Sequence, residues 1–130
     1  MNLESPKISV SKSPQDVFDF LSDIKNFEAL MPENISKFEV LEEDKFLFAL
    51  KGMPEIRLKI QETTPSEKIV LGSTSDKFPF TLTGTITKID DNSSEVQLLF
   101  DGKFNPMMAM MIKSPITNFM GTLTSNIEKI

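Results

Sequence analysis

The side chains able to carry chemistry in this chain are few and poorly placed for it. Histidine and cysteine are both missing from its 130 residues. That removes the commonest general base, the commonest metal ligand, thiolate metal sites, disulfides and a cysteine nucleophile together. A Ser/His/Asp constellation is therefore ruled out, and Ser75-Asp76-Lys77 reads as a loop. Glu42-Glu43 and Asp90-Asp91 are carboxylate pairs at expected turns. With no partner base they are solvated turn residues rather than an acid/base pair or a calcium site. Glu33 and Asn34 could rim a pocket mouth. Arg57, the single arginine, limits bidentate carboxylate or phosphate recognition to one position. By strand parity it points away from Ile56 and Leu58, toward solvent.

What the sequence does concentrate is adaptable apolar surface. The stretch FNPMMAMMIKSPITNFMGTLTSNIEKI holds five of the eight methionines, Met107, Met108, Met110, Met111 and Met120. Methionine is flexible and polarizable and accommodates partners of varied shape. Such a segment, helical and laid over a curved sheet, either fills the hollow or roofs a cavity. A roof is expected here, with Pro115 and Gly121 allowing the lid to move. Exposed methionines for a protein partner or a membrane surface are the alternative, but Lys113, Glu128 and Lys129 do not form the basic face of membrane-surface helices.

The elements that must position this segment follow from periodicity. Residues 3–11 read as a strand with Ile8 and Val10 on one face. Ser13 is an N-cap, Pro14 a first helical residue and Asp16 a first-turn carboxylate. Val17 and Leu21 share the face of that helix, and Asp23 caps a second short helix that Pro32 ends. From Ser36 to Lys103 the apolar period is two. It runs through Phe38 and Val40, then Phe46, Phe48 and Leu50 to a turn at Lys51-Gly52-Met53-Pro54. Ile56, Leu58 and Ile60, then KIVLGS, FPFTLTGTITKI and EVQLLFDGKF follow. Gly72, Gly84 and Gly102 lie inside strand patterns, where glycine marks bulges or bends. Asn105 and Pro106 open the last helix, and Pro115 should kink or interrupt it. Thr81, Thr83, Thr85 and Thr87 form an outward row opposite Phe80, Leu82 and Ile86.

The order is strand, two short helices, six strands, long helix. Together with SPQDVFDFLSDIKNFEALMP and Asn105-Pro106, it resembles the START-like (SRPBCC) superfamily, across essentially the whole chain. The residues that carry the likeness are Ser13-Pro14, Val17-Phe18, Phe20-Leu21, Asn26-Phe27 and Leu30-Met31-Pro32. The resemblance implies an α+β helix-grip fold, a curved seven-stranded antiparallel sheet around a long C-terminal helix, as one domain over residues 1–130. It also implies a cavity between sheet and helix for lipids, sterols, polyketides or other apolar molecules. The inward-facing set that would line it is Phe46, Phe48, Leu50, Ile56, Leu58, Ile60, Leu71, Phe80, Leu82, Phe100, Met107, Met110, Met111 and Phe119.

The function expected is non-enzymatic binding or transport of a small hydrophobic or amphipathic ligand, lipid-, quinone- or polyketide-like. A cyclase- or dehydratase-type enzyme and a protein-interaction module with a filled core remain alternatives. No ionisable side chain falls in the inward set, so enzymatic activity is left open and disfavoured. No cofactor and no metal is implied. A net charge of −5 disfavours nucleic acid as a partner, since phosphate binding needs clustered Lys and Arg. No run approaches the ~18 apolar residues of a membrane span, and none resembles a signal peptide. Stable membrane insertion is therefore not expected, and the cytoplasm is the expected compartment.

Overall fold

The computed structural model describes residues 1–51, 53–74 and 79–130. Gly52, the expected loop residues Ser75-Asp76-Lys77, and Phe78 at the start of an expected strand lie outside the described residues.

Strands β1 (Asn2–Glu4) and β2 (Ile8–Val10) lead to helix α1 (Pro14–Ser22), a 3-10 turn (Ile24–Asn26) and α2 (Phe27–Leu30). Then come β3 (Ile35–Glu42), β4 (Lys45–Leu50), β5 (Ile56–Thr64), β6 (Lys68–Ser73), β7 (Phe80–Asp90), β8 (Ser93–Gly102) and α3 (Pro106–Ile127). The sheet order is β1-β8-β7-β6-β5-β4-β3, with β2 also on β8, and every pairing is antiparallel.

The strand expected over residues 3–11 is thus two. Pro6 has no N–H to give a ladder, and Ser5 mends the break. The Ser5 N–H donates to the Leu98 carbonyl at 2.9 Å, and the Leu98 N–H donates to Ser5 Oγ at 2.8 Å. The second short helix likewise begins as a 3-10 turn, with Lys25 N–H donating to Asp23 Oδ1 at 3.1 Å. It ends at Met31, which is extended (ψ 147°) before Pro32. The caps form as the sequence requires: Asp16 N–H donates to Ser13 Oγ (3.1 Å) and Met108 N–H to Asn105 Oδ1 (2.8 Å).

Register breaks fall between Ile35 and Lys37, Val40 and Glu42, Ile60 and Glu62, and Lys88 and Asp90, not at glycines. Gly72 and Gly102 serve close approach instead. A Cβ at Gly72 would collide with the Gln61 side chain, and one at Gly102 with the Phe104 ring.

The core lies between the inner sheet face, α1, α2 and one stripe of α3. On α3 that stripe is Ile112, Ile116, Phe119, Met120, Leu123 and Ile127, all buried. Their spacing follows the helical period. Asn126 Nδ2 donates to the Leu30 carbonyl (2.8 Å), fastening the end of α3 to α2. The interruption expected at Pro115 does not occur, and α3 runs as one 22-residue helix.

Candidate functional site

The space between sheet and helix is filled. Phe27 stacks on Phe46, Phe46 on Phe48 and Phe48 on Phe119, with ring centroids 5.4, 6.2 and 5.0 Å apart. A second stack joins Phe80 to Phe100 at 4.9 Å. The gaps left inside are voids of about 20 Å³, beside Leu71, Leu82, Gly84 and Leu98, and about 10 Å³, beside Phe48, Phe100 and Phe119. Both fall far below the ~300 Å³ at which small-molecule sites begin.

Open volume lies outside the core instead, in a shallow depression of about 330 Å³ beside Asp23, Lys25 and Glu43 and, larger, along one side of α3. A groove of about 690 Å³ runs between two walls. The first wall is the approach to β3 and the β4–β5 turn: Pro32, Asn34, Leu50, Lys51, Met53 and Pro54. Backbone bonds hold it in shape, with Lys51 N–H donating to the Asn34 carbonyl and Met53 N–H to the Leu50 carbonyl, both at 2.9 Å. The second wall is α3 from Met108 to Thr122, a length of about 21 Å at 1.5 Å per residue. Met111, Pro115 and Phe119 give it apolar bulk, while Ser114, Asn118 and Thr122 repeat every fourth residue as a polar edge. Pro115 has no N–H, so the Met111 carbonyl receives no helical bond from residue 115.

The inward set divides accordingly. Phe46, Phe48, Leu50, Ile56, Leu58, Leu71, Phe80, Leu82, Phe100 and Phe119 are buried in the core, and Ile60 is half-buried beside the register break. Met107, Met110 and Met111 do not face inward. They are 74%, 83% and 68% exposed, because the Ile112–Ile127 stripe turns the opposite side of α3 to the sheet. The methionine lid is therefore overturned. Of the fourteen residues, Leu50, Met111 and Phe119 line the groove. Asn34, the polar neighbour of Glu33, also lines it. The remaining lining was not legible, because the groove is made by the meeting of a loop, a turn and a helix edge distant in sequence.

The charged residues singled out earlier lie elsewhere. Arg57 is exposed and pairs with Glu55 (3.4 Å), and Glu55 also meets Lys37 (3.3 Å). The hydrogen bond from Lys37 is the main reason the Glu55 carboxyl sits below its ordinary range, with Arg57 adding to it. Glu42 pairs with Lys45 at 3.6 Å and Asp91 with Lys88 at 3.0 Å. Among the described residues no group of three or more His, Cys, Asp or Glu could hold a metal ion. No described helix is long and apolar enough to cross a membrane.

A long helix gripped by an antiparallel sheet, with short helices between the first strands and the rest, defines the helix-grip α+β fold of START-like proteins, and this chain has it. The solved structures it is similar to agree. Truncated norcoclaurine synthase from Thalictrum flavum superposes with a TM-score of 0.79 at 14% identity, covering 99% of this chain and 91% of that one. The same synthase in complex with dopamine and hydroxybenzaldehyde gives 0.78 at 13% identity, covering 99% and 84%. A START superfamily protein from Mycobacterium smegmatis gives 0.72 at 13% identity, covering 98% and 94%. At such identities the likeness is one of fold. No protein-family model matches the sequence, and no curated protein does.

Proposed function

We propose that this chain binds a small apolar or amphipathic molecule, lipid-, quinone- or polyketide-like, in the groove between α3 and the β4–β5 turn, without transforming it. The observation that carries this is the groove itself. Its volume of about 690 Å³ lies within the ~300–1,000 Å³ range of small-molecule sites. Its lining mixes apolar bulk with a few polar groups. Burial of ~300 Å² of ligand apolar surface at ~25 cal/mol/Å² gives roughly 7 kcal/mol gross. Association and ordering costs bring the affinity to the micromolar range or weaker. The cytoplasm is the compartment proposed with this function.

The likeness to norcoclaurine synthase favours a second reading, an enzyme on the same scaffold. Against it stands the lining. Lys51 is the only ionisable side chain among the described lining residues, so no acid/base pair is assembled there.

Native mass spectrometry of freshly purified protein, followed by calorimetric titration with a panel of apolar and amphipathic molecules, tests the proposal. Asn118→Trp is the companion variant, because Asn118 is an exposed groove residue whose replacement obstructs the groove without touching the core. Saturable binding that Asn118→Trp weakens at least tenfold (about 1.4 kcal/mol) is expected. Absence of binding across the panel, or binding that Asn118→Trp leaves unchanged, overturns it.

A further inference from the structure

We propose that the groove selects anionic amphiphiles, with the Lys51 ammonium holding a carboxylate or phosphate head group and the tail running along α3. This rests on the groove being the ligand site and goes further by naming the chemistry of its guest.

Three observations carry it. The first is the charge of the lining. Lys51 is the only ionisable side chain among the described lining residues, and no Asp or Glu accompanies it. The second is the wider surroundings. Between Asp101 and Glu128 the sequence contains no acidic residue at all, although the chain has 19 and a net charge of −5. The entire α3 wall is thus free of negative charge in an otherwise acidic protein. An anion approaching along α3 avoids like-charge repulsion from that wall, and on the opposite wall Glu33 and Glu55 adjoin the lining residues Asn34 and Pro54 without lining the groove themselves. The third is the state of Lys51. Lys37, Lys45, Lys59, Lys68 and Lys88 each lie within 4.0 Å of a carboxylate. Among the described residues Lys51 meets none, as is true of Lys7, Lys12, Lys25, Lys103, Lys113 and Lys129. Lys51 alone of these lines the groove, where its backbone bond to Asn34 holds its Cα on the wall. An ammonium presents three donors and no acceptor, so an anionic oxygen is the partner it lacks.

The opposite wall suits such a guest. Ser114, Asn118 and Thr122 offer hydroxyl and amide donors along one edge, and Met108, Met111, Ile112, Pro115 and Phe119 receive a hydrocarbon tail. The helix edge is about 21 Å long, which matches an extended chain rather than a compact ring system. A cationic amphiphile would set its charge against Lys51.

Calorimetric titration with four twelve-carbon probes, each below its micellar concentration, tests the selection: dodecanoate, dodecyl phosphate, dodecanol and dodecylamine. The expected order is either anion tighter than the alcohol by about fivefold, the scale of a partly exposed ion pair, and the amine weaker than the alcohol. Which anion binds tighter separates a carboxylate guest from a phosphate guest. In Lys51→Gln the anions fall to the affinity of the alcohol while the alcohol itself is unchanged, and Lys51→Glu reverses the order. Equal binding of anion and alcohol by the native protein overturns the head-group selection while leaving the groove as the ligand site. An equal loss for all four probes in Lys51→Gln does the same. Binding of none of the probes overturns both.

Discussion

Ser66 has a backbone φ of 62°, a left-handed conformation that L-residues with a Cβ adopt only at a cost. It follows Pro65 in the β5–β6 turn, where Glu67 N–H donates to the Thr64 carbonyl at 3.0 Å, a pattern that suits glycine at the third position. The serine hydroxyl does reach Gln15 Oε1 at 2.8 Å, but both groups are exposed. Ser66→Gly should therefore raise the unfolding free energy by about 0.5 kcal/mol, strain relief exceeding the lost bond and the added freedom of the unfolded chain. Urea denaturation with an unchanged slope checks this, and a destabilised variant would show that the hydroxyl bond dominates. Asp90 is the matching electrostatic case. The Asn92 N–H donates to its carboxylate at 2.8 Å. Chiefly for that reason its carboxyl titrates below the ordinary value of 3.8. A folded value below the unfolded one means that its contribution is complete above the ordinary value. It then fades as the pH falls through the depressed one. Titration by carbon-detected NMR should find the Asp90 midpoint depressed, and Asn92→Pro, which removes the donor, should bring it back up.

At the scale of the element, α3 explains both what the sequence made legible and what it concealed. The caps were plain because Ser13 and Asn105 each have one job that their neighbours, Pro14 and Pro106, cannot do. The inner faces of β4, β5 and β7 followed from parity alone, since a one-residue slip would have turned Phe48, Leu58 and Leu82 outward. Helix α3 is apolar on more than one side. Met107, Met110 and Met111 keep helical spacing just as Ile112, Ile116 and Phe119 do, so periodicity could not decide which stripe meets the sheet. Branched and aromatic residues that fit the space beside Phe48 decide it. Substitution separates the two faces. Met107→Gln with Met110→Gln should change stability by no more than about 0.5 kcal/mol, whereas Met120→Ala, in the core, should cost about 2–5 kcal/mol. Equal losses would mean that the exposed methionines are covered in solution. Pro115 is the other lesson of this helix. It neither breaks α3 nor comes free, because it leaves the Met111 carbonyl without a helical donor. Pro115→Ala should stabilise the protein by about 1 kcal/mol or more. Chemical denaturation checks that, and a loss of stability would show that the ring packs usefully on the groove wall.

For the whole molecule, the decisive fact is where the grip is tight and where it is slack. The Phe27-Phe46-Phe48-Phe119 stack closes the interior, and the groove opens where the wall of Lys51 and α3 part. Gly84 allows the two locations to be told apart. It lies in β7 between Ile69 and Leu98 and borders the larger internal void of about 20 Å³. A Cβ built there meets Leu98 Cδ2 at 3.6 Å, ordinary contact. Gly84→Ala should therefore fit, reduce the freedom of the unfolded chain, and stabilise the fold by roughly 0.5–1 kcal/mol. It should leave the affinity of any groove ligand unchanged, because the added methyl enters a space no guest uses. A variant that is more stable yet loses ligand would show that the sheet and α3 open to admit the guest inside, and the groove would then be only its entrance.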